Sequence, residues 1–186
     1  MKILFITSSR IGDAVLSSGL LAELIARYPK ALITVACGPA AAPLFDAVPQ
    51  VERVIVMHKR KWAAHWLDLW RICIRQPWGW GMVLDLRGSV IAHCLIARRR
   101  RVYRGATGGR HRLIALAKVL KLSAPPQPRL WTDHTHDTEA ARLIPEGGPV
   151  IALGPTANWA GKIWAPENFV ELAQRLTAPE IGRAHV

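Results

Sequence analysis

The sequence has no apolar run long enough to cross a membrane, which takes about 18 or more consecutive apolar residues. Hydrophobic residues nevertheless make up 51% of the 186 residues, and the mean hydropathy is +0.14. Lys2 is followed by a short apolar strand and then at once by polar residues, so no signal peptide is predicted. The composition therefore predicts a chain without membrane spans that buries a sizeable core.

Cysteine is scarce, with three residues that lie far apart: Cys37, Cys73 and Cys94. Their odd number and wide spacing exclude a disulfide framework and give no support to a zinc site. Such cysteine usage is typical of a protein from a reducing cytoplasm.

Acidic residues are absent between positions 86 and 132, whereas the formal net charge of the whole chain is +12. Eleven basic residues in this window carry almost the whole excess. Such a field favours a polyanionic partner, which could be nucleic acid, anionic lipid or a phosphorylated glycan, although a solvated basic surface is the simpler alternative. The eleven are Arg87, Arg98, Arg99, Arg100, Arg101, Arg104, Arg110, Arg112, Lys118, Lys121 and Arg129.

Apolar periodicity alternates between that of strands and that of helices, which predicts an α/β fold with a mostly parallel sheet. Arg98–Arg101 followed by Val102-Tyr103 is expected to form a short extra strand that enters from a basic turn. Strands are predicted at 2–6, 32–37, 51–57, 81–86 and 149–154. Helices are predicted at 13–27, 39–47, 61–75, 89–97, 111–121, 135–144 and 166–177.

Clusters of proline and glycine near 123–130 and 145–149 indicate loops that could divide the chain into domains. We predict a first domain over residues 1–145 and the start of a second α/β domain over 146–179. Residues 180–186 do not continue the pattern and can be back-translated into a common sequencing-adapter string. We therefore expect a non-native tail on a truncated chain, which would be inactive as it stands.

The first strand runs into a polar turn and a helix, and Asp13 lies where this helix is predicted to begin. The turn lacks the glycine-rich fingerprint of a dinucleotide site. Asp13 could simply cap the helix, or it could act as a general base at the carboxyl end of the strand. Ser8, Ser9 and Arg10 could bind a polar or anionic acceptor on the same turn.

A second turn, over residues 154–166, follows the last predicted strand and holds Thr156, Asn158 and Lys162. Hydroxyl, amide and ammonium donors suit a phosphate group. The segment is not a Walker A loop, because the Gly-Lys-Ser/Thr ending is absent. A solvated loop lysine is the alternative interpretation.

Three further patterns have a structural and a functional interpretation. Trp62, Trp66 and Trp70 recur every four residues, so they are expected to share a helix face that belongs to the core or to a membrane-facing rim with Lys59, Arg60 and Lys61. His134 and His136 beside Asp133 and Asp137 suggest a metal, yet no third ligand cluster supports a site. The glycine-rich turn 105–109 could hold an anion or be a plain loop.

Two segments together resemble glycosyltransferase family 9, the ADP-heptose:lipopolysaccharide heptosyltransferases. The first reads Arg10-Ile11-Gly12-Asp13-Ala14-Val15-Leu16-Ser17 and continues as a helix to Arg27-Tyr28-Pro29. The second comprises Leu153-Gly154-Pro155 and the stretch from Lys162 to Phe169. Both occur in the family's order and spacing, so the resemblance covers residues 1–179.

The resemblance implies a GT-B architecture of two domains, of which the N-terminal Rossmann-like domain binds the acceptor and the C-terminal domain binds the nucleotide sugar. It implies transfer of heptose from ADP-heptose to the lipopolysaccharide inner core, without metal or cofactor, by an enzyme at the cytoplasmic face of the inner membrane. Asp13 would be the general base. The acceptor would be bound by Ser9, Arg10, Gly12, Arg98, Arg99, Arg100 and Arg101, and the donor phosphate by Thr156, Asn158 and Lys162.

Two other functions remain open at this point. A GT-B transferase could use a different nucleotide-sugar donor, and a non-enzymatic basic domain could bind a polyanion. Nucleic acid is the less favoured polyanion, because no known nucleic-acid module is visible and the aromatic residues are not interleaved with the arginines.

Overall fold

The computed structural model describes residues 1–105, 111–144, 146–148, 150–157 and 159–177. The chain divides into two compact units, Met1–Asp133 and His134–Val186. This division falls before the helix that begins at His134, whereas the predicted domain boundary at 145 follows it. The predicted boundary at 145 stays a prediction, and the predicted tail 180–186 lies outside the described residues.

The first unit is built on a five-stranded sheet in which every pairing is parallel, in the order β3-β2-β1-β4-β5. This confirms the α/β fold with a parallel sheet. Four of the predicted strands lie within one residue of their observed bounds. The strands are β1 Lys2–Ile6, β2 Leu32–Cys37, β3 Val51–Val56, β4 Trp80–Asp85 and β5 Ala97–Val102.

Helices cover both faces of the sheet, as the near-continuous apolar strands of a parallel sheet require. The α-helices are α1 Ile11–Arg27, α2 Ala64–Ile74, α3 Ile91–Cys94, α4 Arg112–Ala117, α5 His134–Leu143 and α6 Pro166–Leu176. Short 3-10 helices form at Pro39–Phe45, Lys61–Ala63, Lys118–Leu120 and Ala160–Lys162.

Alternate residues of β1 divide the core into two layers, because successive side chains of a strand point to opposite faces. Ile3 and Phe5 pack in one buried cluster with apolar residues of α1 such as Leu20. Leu4 and Ile6 pack in the other cluster, to which α2 contributes residues such as Leu69. The central strand thus holds both helical layers in place.

Two predicted helices are shorter or tighter than expected. The segment 39–47 is a 3-10 helix, Pro39–Phe45, which contains Pro43; proline lacks the N–H that an α-helix needs in its interior. The helix predicted at 89–97 is the single turn α3, since the chain is extended again at Ala97 and enters β5. The expected extra strand is present as β5, but the basic turn before it is not, because all four arginines 98–101 belong to β5 itself.

The strand predicted at 149–154 is also not found, since residues 150–157 form neither helix nor strand. A strand is stabilised by the hydrogen bonds of a neighbouring strand. The described residues of the second unit contain α5, a 3-10 turn and α6, but no strand with which this segment could pair. Val150 is consequently 61% exposed.

Candidate active-site edge

The topological switch point of the sheet lies at the carboxyl ends of β1 and β4, and we call the space outside these two strand ends the crevice. From β1 the chain passes to β2 on one side, whereas β4 lies on the other side of β1. In open α/β sheets, ligands bind at such a switch point, outside the carboxyl ends of the strands. Ile6 and Asp85 are level with each other in the two strands. The loops that follow these residues therefore border the crevice.

Asp13 lies beside this crevice, in the first turn of α1, and is half-buried. The helix begins two residues earlier than predicted, and Arg10 occupies the N-cap position without a side-chain capping bond. Ser8 Oγ accepts a hydrogen bond from the Arg10 N–H at 3.1 Å and donates one of 3.4 Å to Asp13 Oδ2. The Asp13 carboxylate is thus held only loosely by Ser8, near the positive end of the helix dipole.

The loop beneath Asp13 is fixed by buried polar groups. Thr7 is 1% exposed, and its hydroxyl is 2.7 Å from the hydroxyl of Ser17 on α1. The Thr7 N–H donates to the carbonyl of Ala36 in β2 at 2.9 Å. Gly38 is required where the two loops meet, because a Cβ there would lie 2.3 Å from Ser9 Cβ. These contacts hold the turn and the start of α1 in one geometry.

Asp85, which the sequence analysis did not single out, is the second carboxylate at this edge. It is fully buried at the end of β4 and accepts hydrogen bonds from the Arg87 N–H at 2.8 Å and from the Ser89 N–H and Oγ at 2.6 Å each. An Asp that ends a strand and precedes Gly88 and Ser89 is a signal for such a turn. Asp85 therefore shapes the loop on the far side of the crevice.

Gly88 gives the same loop its sharp bend. Its φ is +67°, and a Cβ at this position would lie 2.7 Å from the carbonyl oxygen of Tyr103. Both observations favour glycine over any L side chain. The loop after β4 is thus determined by Asp85 and Gly88 together.

Ser9, Arg10 and Gly12, predicted to bind the acceptor, are exposed on the same turn as Asp13. A Cβ at Gly12 would meet nothing within 4 Å. Glycine inside a helix costs about 0.5–1 kcal/mol relative to alanine. Since neither φ nor packing requires glycine here, Gly12 leaves free space beside Asp13 at the expense of helix stability.

The four predicted arginines of β5 do not form one cluster. Successive residues of a strand point to opposite faces, so Arg98 and Arg100 lie on one face and Arg99 and Arg101 on the other. Arg100 is half-buried and donates to the carbonyls of Ala92 and Leu95, the latter at 2.7 Å. Its guanidinium therefore has a structural role at the end of α3.

The register of β5 also separates the arginines along the strand. Arg99 is level with Met82 of β4, and Met82 is level with Ile3 near the start of β1. Arg99 donates to the hydroxyl of Tyr28 at 2.9 Å. Arg101 is level with Leu84, one residue from the end of β4. Of the four, Arg101 is nearest to the edge that carries Asp13, and Arg98 is furthest from it.

In the second unit, Lys162 ends the 3-10 turn Ala160–Lys162, and its N–H donates to the carbonyl of Trp159 at 3.0 Å. Lys162 and Thr156 are both exposed. Asn158 lies outside the described residues. An exposed lysine and threonine beside a helix that begins at Pro166 can donate to an anion, but their role stays a prediction.

The three tryptophans predicted to share one face are divided by the structure. Trp66 and Trp70 are partly buried against the second core cluster. Trp62 lies in the 3-10 turn before α2 with φ 55°, a left-handed conformation, and is 98% exposed. The change of backbone conformation at Trp62 breaks the helical periodicity on which the prediction depended.

Two cysteines are buried in the first unit. Burial is the main cause that raises the pKa of Cys37 to about 11 and the pKa of Cys73 to about 12. Asp46 contributes to the rise at Cys37, and Arg53 opposes it at Cys73. These thiols are therefore protonated and poorly nucleophilic at neutral pH.

Within the described part of the chain, no group of three or more His, Cys, Asp or Glu residues is arranged to hold a metal ion. Nor is any described helix both long and apolar enough to span a bilayer. Of the predicted anion-binding turn 105–109, residues 106–109 lie outside the described residues.

Solved structures of glycosyltransferases have the same fold. A family 9 glycosyl transferase from Veillonella parvula DSM 2008 matches 94% of this chain with a TM-score of 0.71 and 15% identity. E. coli ADP-heptose lps heptosyltransferase II matches 99% with a TM-score of 0.67 and 21% identity. E. coli heptosyltransferase WaaC, solved with ADP-2-deoxy-2-fluoro heptose, matches 99% with a TM-score of 0.66 and 17% identity. The fold is that of the family 9 glycosyltransferases.

The similarity lies in structure rather than in sequence. No known family profile matches the sequence, and no curated protein is similar to it. The chain spans 59% of the Veillonella protein, 63% of heptosyltransferase II and 68% of WaaC. The comparisons therefore confirm the predicted fold over almost the whole chain.

Proposed function

We propose that this chain is part of a glycosyltransferase that transfers heptose from ADP-heptose to the inner core of lipopolysaccharide. The observation that supports this most is the position of Asp13, a loosely held carboxylate beside the switch point of a sheet whose fold is shared with heptosyltransferases. The first unit would bind the acceptor, and the second would begin the donor domain.

In this mechanism, Asp13 accepts the proton of an acceptor hydroxyl as the hydroxyl oxygen attacks the anomeric carbon of heptose. The bond between that carbon and the diphosphate oxygen breaks, and ADP leaves. Asp13 suits this role because its carboxylate is half-buried and is not held by a strong partner in the described chain.

The acceptor would be held by Ser9 and Arg10, with Gly12 providing room for a sugar ring close to Asp13. Arg101 is the β5 arginine placed best to extend this surface towards phosphate groups of the inner core, whereas Arg98, Arg99 and Arg100 would act at a longer distance. Lys162, with Thr156 and Asn158, would hold the donor diphosphate and stabilise the charge that develops on it. The enzyme would work at the cytoplasmic face of the inner membrane, as a peripheral protein.

The test is the Asp13→Asn variant of a full-length version of the protein. Asparagine keeps the shape of the side chain but accepts a proton poorly, so kcat should fall by roughly a hundredfold or more while acceptor affinity and the unfolding midpoint are unchanged. Asp46→Asn, at an exposed carboxylate outside the crevice, is the matched control. Normal turnover by Asp13→Asn would show that the general base is elsewhere.

The same full-length version of the protein also tests two alternative functions. A different donor would be revealed if turnover with another nucleotide sugar exceeded turnover with ADP-heptose. A non-enzymatic polyanion-binding role would be supported by binding to DNA that equals binding to lipopolysaccharide over a salt titration, together with no transfer in any full-length version.

A further inference from the structure

The loop between β3 and α2 carries an unusual surface. Lys59, Arg60, Lys61 and Trp62 are all exposed, and Trp62 is 98% exposed. The loop follows the end of β3, so it lies at the carboxyl edge of the sheet, as Asp13 does. A bulky aromatic residue rarely adopts a positive φ. The backbone at Trp62 thus directs a large apolar side chain into solvent at a conformational cost.

The positive charge of this loop is largely uncompensated. Arg60 pairs with Asp68 of α2 at 2.8 Å, and Asp68 is also 3.9 Å from Arg71. Neither Lys59 nor Lys61 has an acidic partner within the described chain. The two lysines therefore present their charges directly to the solvent.

A neighbouring loop extends the same surface. The guanidinium of Arg87, in the loop after β4, lies 5.0 Å from the ring centroid of Trp66 on α2. Trp66 lies in the first turn of α2, so this contact places Arg87 against the helix that follows the loop of Trp62. Arg87 is exposed, and Val90 in the same loop is 75% exposed. We define the basic–tryptophan rim as Lys59, Arg60, Lys61, Trp62, Arg87 and Val90.

We propose that the basic–tryptophan rim docks the protein onto the surface of a bilayer rich in anionic phospholipid. Tryptophan is enriched where proteins meet the membrane interface, and basic side chains are attracted to anionic lipid. The stems of lysine and arginine can lie on apolar surface while their charges reach headgroup phosphates. A single exposed tryptophan suits an interface better than it suits single-stranded nucleic acid, which stacks successive bases on several aromatic rings.

This inference deepens the proposed function, because it rests on an acceptor that is anchored in a lipid. Docking through the rim would turn the carboxyl edge of the sheet, with Asp13 and the crevice, towards the membrane. The acceptor sugars would then enter the crevice directly from the bilayer surface. The docking itself involves no nucleotide sugar and no lipopolysaccharide, so it can be tested separately.

The experiment is sedimentation of the 186-residue chain with vesicles of phosphatidylcholine that contain 30% phosphatidylglycerol (about one lipid in three), compared with pure phosphatidylcholine. Binding is expected for the anionic vesicles only, and it should weaken as sodium chloride is raised. Lys59→Gln together with Lys61→Gln should weaken binding roughly thirtyfold, at about fivefold for each basic side chain near the surface. Trp62→Asn, which tolerates a positive φ, should weaken it at least about fivefold.

The opposite edge of the sheet supplies matched controls. Trp78 is likewise fully exposed with a positive φ of 64°, and it precedes β4 at the amino edge. Trp78→Asn should leave vesicle binding unchanged, as should Lys30→Gln at an exposed lysine in the turn between α1 and β2. Circular dichroism and the thermal unfolding midpoint are recorded for every variant, so that loss of binding is compared among folded proteins.

The outcomes separate the docking inference from the transferase. Loss of binding in the rim variants alone supports it. Absence of binding to anionic vesicles, equal binding by all variants, or loss caused by the amino-edge controls would overturn it. Retained vesicle binding together with no heptose transfer by a full-length version would refute the proposed function and leave the docking surface intact. Binding to single-stranded DNA but not to vesicles, lost in the rim variants, would replace the lipid by a nucleic acid and overturn the proposal.

Discussion

Two carboxylates border the crevice, and substitution should affect them in opposite ways. Asp85 is fully buried and accepts three hydrogen bonds from the loop after β4. Asp13 is half-buried and accepts one contact of 3.4 Å from Ser8. We therefore expect Asp85 to matter for folding and Asp13 to matter for chemistry.

The loss of stability expected for Asp85→Ala follows from the three hydrogen bonds that Asp85 accepts. A hydrogen bond to a charged group contributes about 1.5–3 kcal/mol net. The simple sum overestimates the loss, because Arg87 is exposed and Ser89 only half-buried, so water can replace part of the interaction. We expect the free energy of unfolding to fall by about 3–5 kcal/mol, which is at or below the lower end of that sum.

Asp85→Asn should be milder and is the more informative substitution. One amide oxygen can serve both donors of Ser89, but the amide NH₂ then faces the N–H of Arg87. One hydrogen bond to a charged acceptor is lost, and two N–H donors then face each other. The free energy of unfolding should therefore fall by about 2 kcal/mol. Asp13→Asn should change the free energy of unfolding by less than about 0.5 kcal/mol, as is usual for a surface position.

Urea unfolding followed by circular dichroism measures all three variants. The slope of the free energy with urea should be unchanged, so that the shift of the midpoint reports stability. A loss below about 1 kcal/mol for Asp85→Ala would refute the reasoning, because three buried hydrogen bonds would then contribute no more than one ordinary bond. A loss for Asp13→Asn equal to that for Asp85→Asn would show that Asp13 is structural.

Further predictions concern glycine, cysteine and the second unit. Gly12→Ala should raise the free energy of unfolding by about 0.5–1 kcal/mol while it weakens acceptor binding in calorimetry; unchanged binding would argue against an acceptor at this turn. In the native chain, a thiol reagent should label Cys94, which is exposed, and spare Cys37 and Cys73 until urea unfolds the protein; rapid labelling of all three would contradict their burial. The two buried thiols ionise near 9.0 when unfolded but at about 11 and 12 when folded, so the unfolded chain binds fewer protons above pH 9. Stability should fall by up to about 2.7 kcal/mol per pH unit between pH 9 and 11, and a pH series of urea midpoints that stays flat there would contradict this. The 186 residues by themselves should show no binding of ADP-heptose in calorimetry, since the described second unit has no sheet on which a nucleotide site could form; tight binding would mean that the donor site has been misplaced.

Local patterns in the sequence determined most of the sheet. Strands β1, β2 and β4 are largely apolar runs, and β3 is apolar apart from Glu52 and Arg53. The position of Asp13 after the first strand follows from the same pattern. β5 is different, since four consecutive arginines give no apolar signal, and the sequence predicts a basic turn where the structure has strand residues. It is a strand because its backbone pairs with that of β4 at the edge of the sheet. The apolar pattern of the sequence does not encode this pairing.

The crevice itself required the tertiary structure. Strand order decides that β4 lies beside β1, and this order places the loop of Asp85 opposite the turn of Asp13. The separation of Trp62 from Trp66 likewise depends on one backbone angle that periodicity does not encode.

The sequence by itself thus determined the alternation of strands and helices, the parallel sheet and the carboxylate at the end of the first strand, because these depend on neighbouring residues. Only the tertiary structure decided which arginines lie near that carboxylate, that Asp85 is buried, and that Trp62 is exposed beside three basic side chains. These features depend on strand order and burial, which arise when segments distant in the sequence pack together.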